Sequence, residues 1–404
     1  MKIKNLNFQI ILDSRKEKTI EIEMFSENFS AKASVGKGKS RGSKEIYLIE
    51  PEKAQDNFFK IKNLLLNKDF SNLQEFENFL FSLDQTENKS QLGGNFILTL
   101  SIAFLKILAK EKGVHLFNLL REEFLSFFPE LKSEYKNYYF PYFLFNFING
   151  GKHVPWGPDF QEYLVIPFIS EPEISFNLGK IIFSGLKEYF QRNKLSLDYG
   201  DEGGLIYPEK NNEEPLKIIL KVIKDLDLDS SKVKLGLDVA ASSFLTDDFK
   251  EEYFNFYKDL SKNYDLFYLE DPFRENDFLS FQKLNNELGK KTLIVGDDLT
   301  VTNPLLIEKT IKERAIGGVI IKPTQIGSIT ETFKAIKKAI EGGLKIIISH
   351  RSGETEDDFL ADLSIAVNAF GLKSGSLTQK ERLVKYQRVI EINKILKYEK
   401  NRLC

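Results

Sequence analysis

Six apolar runs in the C-terminal two-thirds of the chain stop abruptly at a polar residue: LGLD at Asp238, LFYLE at Glu270, LIVGD at Asp297, GVIIK at Lys322, IIISH at His350 and GLK at Lys373. Successive ends lie 32, 27, 25, 28 and 23 residues apart, each close to one strand, one helix and two loops, on the order of 30 residues. Runs such as Ile346–Ile348 would bury on both faces, as parallel strands do. Parallel strands separated by helices can close into a barrel, whose chemistry sits at the carboxyl ends of the strands. The spacing therefore predicts an α/β barrel with all six polar residues around one mouth.

The first part of the chain follows other periods. From Met1 to Ala33 the runs are short and alternating, with Ile20, Ile22 and Met24 separated by Glu21 and Glu23, as in half-exposed strands. From Pro51 to about Leu120 apolar residues recur at helical spacing, at Phe58, Ile61, Leu65 and later Leu98, Ile102 and Leu105. That pattern lapses around Phe124–Tyr138. A smaller α+β domain over residues 1–130 and a barrel over 131–404 follow. A chain of 404 residues is also longer than one ordinary core. Between the strands and the helices, VGKGKSRGS (35–43) has the glycines and basic residues of a mobile loop that could approach an anion.

Charge and cysteine content narrow the function. A net charge of −2 offers no field for nucleic acid or an anionic membrane surface. The only cysteine is Cys404, so no intrachain disulfide can form. Phe8–Leu12 is too short for a signal-peptide core, and no stretch approaches a membrane span. The expectation is a soluble cytoplasmic protein.

Asp238, Glu270 and Asp297 would each serve alone as a helix cap or an ion-pair partner. Together at neighbouring strand ends they would repel unless a cation lay between them, and an all-oxygen set favours magnesium over zinc. Lys322, at the tip of an apolar strand, would be partly desolvated, which lowers a lysine pKa and suits it to act as a base. Upstream, FINGGKHVPWGPDFQEYLVIP (147–167) carries His153 and Glu162, and DYGDEGGLIYP (198–208) carries Asp201 and Glu202 beside two glycines. Arg351 and Ser352 suit a phosphate, and Thr355 is placed to cap a helix starting near Glu356. His115 reads as structural. A lysine base, an opposed carboxyl, a magnesium cluster and an anion site suggest proton removal next to a carboxylate, with metal stabilisation of the enediolate and acid-assisted loss of a hydroxyl.

At this point the chain resembles the enolases. The shared runs are LDSR (12–15), NKSQLGGNFIL (88–98), INGGKH (148–153), QEYLVIP (161–167), GDEGG (200–204), GLDVAAS (236–242), EDP (270–272), VGDDLTVTNP (295–304), KPTQIGS (322–328), SHRSGETEDDFLADL (349–363) and LKSG (372–375). The resemblance implies an eight-stranded enolase-type α/β barrel with a smaller N-terminal domain. It implies a hydro-lyase of glycolysis and gluconeogenesis, interconverting 2-phosphoglycerate and phosphoenolpyruvate. In that scheme Lys322 takes the C2 proton, and Glu202, networked with Glu162, assists loss of the C3 hydroxyl. Asp238, Glu270 and Asp297 hold a first magnesium, and Lys373 clamps the substrate carboxylate. His350 and His153 line the pocket, and Arg351 and Ser352 take the phosphate. A second magnesium arrives with substrate, bound partly by Ser40. A homodimer, or a higher oligomer, is implied as well.

Three departures stand out. The family's PSGASTG is GKGKSRG (36–42) here, placing basic charge where relatives have small residues. The loop after His153 reads VPWGPDF in place of an Asn-rich stretch. Glu391 takes the place of an arginine that pairs with an N-terminal glutamate across the dimer, a position occupied here by Glu21. These departures keep open an enolase-fold enzyme with a shifted substrate, or a non-catalytic relative acting as a binding protein.

Overall fold

A computed structural model describes residues 1–39, 42–247 and 250–403, the last three by backbone alone. The N-terminal part pairs three antiparallel strands, β1 (Asn5–Leu12), β2 (Lys18–Phe25) and β3 (Ser30–Ser34), with β2 in the middle. As its alternation predicts, β2 buries Ile20, Ile22 and Met24. Four helices follow: α1 (Pro51–Leu65), α2 (Leu73–Leu83), α3 (Gly94–Lys112) and α4 (Leu116–Phe127). The chain signals their limits: Pro51 opens α1, the Asn72 side chain caps α2, and Gly113, at φ 65°, ends α3 in the left-handed region. Helix α3 is apolar almost all round because it lies between the sheet and the barrel.

The barrel consists of β4 (Tyr142–Asn149), β5 (Glu162–Pro167), the two-residue β6 (Leu205–Ile206), β7 (Val233–Asp238), β8 (Leu266–Glu270), β9 (Leu293–Gly296), β10 (Gly318–Ile321), β11 (Lys345–Ser349) and β12 (Gly371–Lys373). Eight of these close a ring when β12 pairs with β4, and β6 attaches to β4 outside it. Leu144, Leu164, Ile166, Tyr268, Val295, Ile320 and Ile347 fill the interior as a cluster separate from the main core.

One strand breaks the all-parallel pattern that the sequence suggests. β5 runs antiparallel to both β4 and β7, because residues 150–161 contain no crossover helix and the chain simply reverses. An antiparallel strand brings its first residue, not its last, to the catalytic end of the barrel. Glu162 therefore stands opposite Asp238 and Asn149.

Two buried charges bolt the parts together at helix ends. The Glu77 carboxylate on α2 accepts from the Ile329 and Thr330 backbone N–H groups at 2.8 and 2.9 Å, at the start of the barrel helix Ile329–Glu341. Arg121 on α4 donates to the Ile365 and Ala366 carbonyls, both at 2.9 Å, at the end of helix Phe359–Ala366. Each charge lies where the helix dipole favours it. Among the described residues no helix is long and apolar enough to cross a membrane. Glu77→Ala would leave two buried N–H groups unpaired, and we expect it to cost about 3 kcal/mol, read as a lower urea midpoint.

Candidate active site

The strand-end rule is met at every position it named. Asp238, Glu270 and Lys373 are the last residues of β7, β8 and β12, and Asp297, Lys322 and His350 directly follow β9, β10 and β11. With His153, Glu162, Glu202, Arg351 and Ser352, five of these line one cleft of about 620 Å³. Glu270 lies beneath its floor, fully buried.

The floor is a knot of charge. Lys373 Nζ lies 2.8 Å from Asp238 Oδ2, 2.8 and 2.9 Å from the two oxygens of Glu270 and 3.3 Å from Glu162 Oε1. Tyr268 donates to Glu270 at 2.6 Å. Asp297 accepts from Lys322 and, at 2.9 Å, from Gln325, whose own oxygen accepts from Thr302 at 2.6 Å. Asp271 and Asp298 crowd in from the same side, and oxygens of Asp271, Asp297 and Asp298 lie within 4.8 Å of one another. The expected trio of Asp238, Glu270 and Asp297 is thus held by two ammonium groups, and the cluster of Asp271, Asp297 and Asp298 shares only Asp297 with it.

Six carboxyls, those of Glu162, Asp238, Glu270, Asp271, Asp297 and Asp298, gather around two ammonium groups and outnumber them. Burial, then Asp238, pushes Glu270 up to about 8, and burial, then Asp297, pushes Asp298 up to about 7. The Gln161 Oε1 and Glu162 Oε2 atoms nearby are buried without a hydrogen-bond partner. An all-oxygen, anion-rich set with spare acceptors fits a hard divalent cation. The expectation of a lowered Lys322 pKa is not met: burial does act that way, but Asp297 outweighs it and holds the ammonium above its ordinary value.

The opposite wall carries Glu202. Its Oε1 lies 3.8 Å from His153 Nε2, and its Oε2 lies 3.4 Å from His350 Nε2 and accepts from Asn146 at 3.1 Å. Gly203, at φ 80°, supplies the turn that aims this side chain inward. Ligand atoms of His153, Glu162 and Glu202 lie within 4.8 Å of one another. Burial, then the neighbouring Glu202 charge, holds Glu162 well above the carboxylate range. Burial also opposes the charge on Glu202, but His350, His153 and Arg382 outweigh it. The two carboxyls therefore hold a proton on the Glu162 side.

At the rim, Arg351 grips Glu45 through two bonds of 2.9 and 3.0 Å, the fork geometry a phosphate would also take. The Ser352 hydroxyl accepts from the Lys39 backbone at 2.7 Å and from Arg15 at 3.3 Å. The glycine-rich loop lies against this strip, with Lys37 and Gly353 exchanging backbone bonds of 2.9 and 3.0 Å. A Cβ on Gly38 would sit 2.2 Å from the Arg351 guanidinium, so a larger residue there would have to displace that group from its present seat. Ser40, expected as a metal ligand, lies outside the described residues. Thr355 is not a cap: the helix begins at Phe359, and Thr355 accepts instead from Ser34 at 2.9 Å.

Several residues went unread in the sequence. Glu45, Gln325, Thr302, Asp271 and Asp298 contact the assigned groups, and Arg382 and Lys385 on the C-terminal helix Lys380–Leu403 are fully buried beneath the 349–355 loop. The only hint was that both lie on one face of a helix following a conspicuous loop. Lys385 pairs with Glu354 at 2.8 Å.

Comparison with known proteins comes to the same place. A family model described as "Enolase, N-terminal domain" matches residues 3–120, and one described as "Enolase, C-terminal TIM barrel domain" matches residues 137–401. A protein of Ureaplasma parvum named "Enolase" is 37% identical, covering 98% of this chain and 97% of its own. Proteins of the same name from Ehrlichia ruminantium and Elusimicrobium minutum are 35% and 34% identical, each covering 98% of this chain and 97% and 96% of their own.

The buried Glu354–Lys385 pair sets an acid limit on stability. Burial opposes its charge, yet Lys385 holds Glu354 below its ordinary value of 4.5. The stabilisation is thus complete above that value and is lost as pH falls through the lower folded-state pKa. Lys385→Met strands the carboxylate, and we expect a loss of about 3 kcal/mol at neutral pH and a flatter decline in urea midpoint on acidification.

Proposed function

The chain belongs to the enolase family, and from that premise we propose that its barrel mouth carries out the magnesium-dependent, reversible dehydration of 2-phosphoglycerate to phosphoenolpyruvate. It is accordingly a lyase. The observation that carries this reading is that one cleft is lined by Lys322 with Asp297, by Glu202 between His153 and His350, and by Arg351 and Ser352. Groups gathered in this way suit removal of a proton from one carbon and of a hydroxyl from the next.

Lys322 is the base for the C2 proton. Asp297 is what holds the Lys322 ammonium above its ordinary pKa, so the strength of this base depends on how much of the Asp297 charge it faces. Glu202 assists departure of the C3 hydroxyl, and Glu162, which keeps a proton beside it, is the reserve of its network. Asp238, Glu270 and Asp297 would hold the first magnesium, and Ser40 would help hold a second that comes with substrate. Bound magnesium supplies positive charge against the developing negative charge on the substrate carboxylate. Lys373 clamps that carboxylate from the protein side, His153 and His350 line the pocket, and Arg351 and Ser352 take the phosphate once Glu45 yields the fork.

The chain acts in the cytoplasm, where phosphorylated metabolites are retained, and it acts as a homodimer. Glu391 takes Arg388 and Glu21 takes Lys32, each at 2.9 Å. Each glutamate therefore carries its own counter-ion, and the dimer forms without an ion pair between them. Sedimentation of purified protein should give twice the chain mass, and a monomer would remove that part of the reading.

Phosphoenolpyruvate formed from 2-phosphoglycerate, followed by absorbance, tests the reaction. We expect turnover with magnesium, none after chelation and recovery on adding magnesium back. A folded protein that binds magnesium but shows no turnover would sink the proposal. Lys322→Ala should lower kcat by about 10²- to 10⁴-fold in protein that circular dichroism shows to be folded.

A further inference from the structure

Arg382 extends from the C-terminal helix into a space closed to solvent and binds four separate segments. Its Nη1 donates to the His350 ring at Nδ1 and, at 2.6 Å, to the Arg351 carbonyl. Its Nη2 donates to Ser14 Oγ at 3.1 Å, to the Asp201 carbonyl at 3.3 Å and to the Ser352 carbonyl, and its Nε donates to Gln379 at 3.0 Å. A guanidinium has no acceptor and keeps its proton. The His350 nitrogen that meets it must therefore present a lone pair.

We propose that Arg382 is a positioning residue that fixes His350 as a neutral imidazole with its proton on Nε2, so that His350 serves the site as a hydrogen-bond donor to Glu202 and not as a proton source. With Nδ1 committed as acceptor, a neutral ring has one N–H left, on Nε2. That nitrogen lies 3.4 Å from Glu202 Oε2. The backbone fixes the ring's origin, since His350 N–H donates to the Lys373 carbonyl at 3.0 Å. Protonating Nδ1 would turn two donors against each other in a dry pocket.

The surrounding charges agree with this. Glu202, from the 198–204 turn, and Glu354, on the loop of His350 itself, favour the imidazolium, while burial and Arg382 oppose it. The balance takes the ring down to about 4, so it stays neutral at physiological pH. Each Glu202 oxygen then faces its own partner: Oε2 takes the His350 and Asn146 donors, and Oε1 looks towards His153. Without Arg382 the ring could take either tautomer, and one of them turns a lone pair on the Glu202 carboxylate. The catalytic consequence rests on the role proposed above for Glu202, but the tautomer does not.

The chain has three histidines, His115, His153 and His350, so nitrogen NMR of protein labelled in histidine is readable, with His350→Gln assigning the signal. We expect an unprotonated Nδ1 and a protonated Nε2 for His350, unchanged between about pH 5.5 and 8. A protonated Nδ1, or a His350 signal that titrates in that range, would overturn the proposal whether or not the protein turns over substrate. In Arg382→Met we expect mixed tautomers and a kcat lowered about 10- to 100-fold, with KM changed far less. An unchanged kcat in that variant would overturn the positioning role, and if the variant does not fold, the parent spectrum alone decides the tautomer. Absence of turnover in the parent would count against the reaction and leave the spectrum to be read on its own.

Discussion

The Lys373 ammonium touches carboxylates from three other strands, Asp238 on β7, Glu270 on β8 and Glu162 on β5. β12, which carries it, is three residues long and is the strand that closes the ring onto β4. So short a strand forms few ladder bonds, and its buried cation ties it across the barrel to strands it does not pair with. Burial opposes that charge, but Asp238, Glu162 and Glu270 outweigh it and hold Lys373 well above its ordinary pKa. Removing one member of such a group strands the others without water, which costs more than the group contributes when complete. Closure of the barrel and assembly of the site are for this reason one event.

The same economy of charge joins the two parts of the chain. Glu77 and Arg121 reach out of the N-terminal helices to the start of one barrel helix and the end of another. Both belong to helices rich in polar residues, and on α4 Glu123 is buried as well, so period alone does not mark the anchoring side chain. The glycine-rich loop begins just after β3, which pairs with β2 and packs against α3. From there residues 37–39 reach Gly353 and Ser352 on the far side of the cleft. The N-terminal domain thus meets the barrel at two helix ends through buried side chains and at the mouth through its loop.

What the sequence made legible follows from what is periodic. The strand ends at Asp238, Glu270, Asp297, Lys322, His350 and Lys373 repeat at the length of a β–α unit, and repetition survives without knowledge of the third dimension. Glu162 was legible as a candidate but not as a strand start, because antiparallel reversal depends on the absence of a crossover helix between residues 150 and 161, where a single short turn of 3-10 helix stands instead, and absence leaves no pattern. The Lys322 pKa was misjudged for a related reason. Desolvation can be inferred from an apolar strand, but the Asp297 partner that overrides it comes from a neighbouring strand. Arg382 and Lys385 were hidden because a buried cation on a helix resembles a solvated one until the loop that covers it is seen.

The basic substitutions in the glycine-rich loop put a question that the ion pairs answer. Added positive charge at the rim could draw phosphate in or hold a second cation off. Lys37, however, lies 3.2 Å from Glu50, and Lys39 lies 2.9 Å from Asp201. Each of these two lysines has a carboxylate of its own, so much of its field is cancelled within a few ångströms and little is added to the cleft. What they change is attachment. Asp201 directly precedes Glu202, and its carbonyl accepts from Arg382. The Lys39 pair therefore ties the loop to the turn that carries the Glu202 wall, and the Lys39 N–H ties it to Ser352 on the opposite strip. As exposed pairs these are each worth about 1 kcal/mol or less, which suits a loop that must let substrate in. At Lys37 and Lys39 the departure from the family pattern thus bears on how firmly the loop rests against the site.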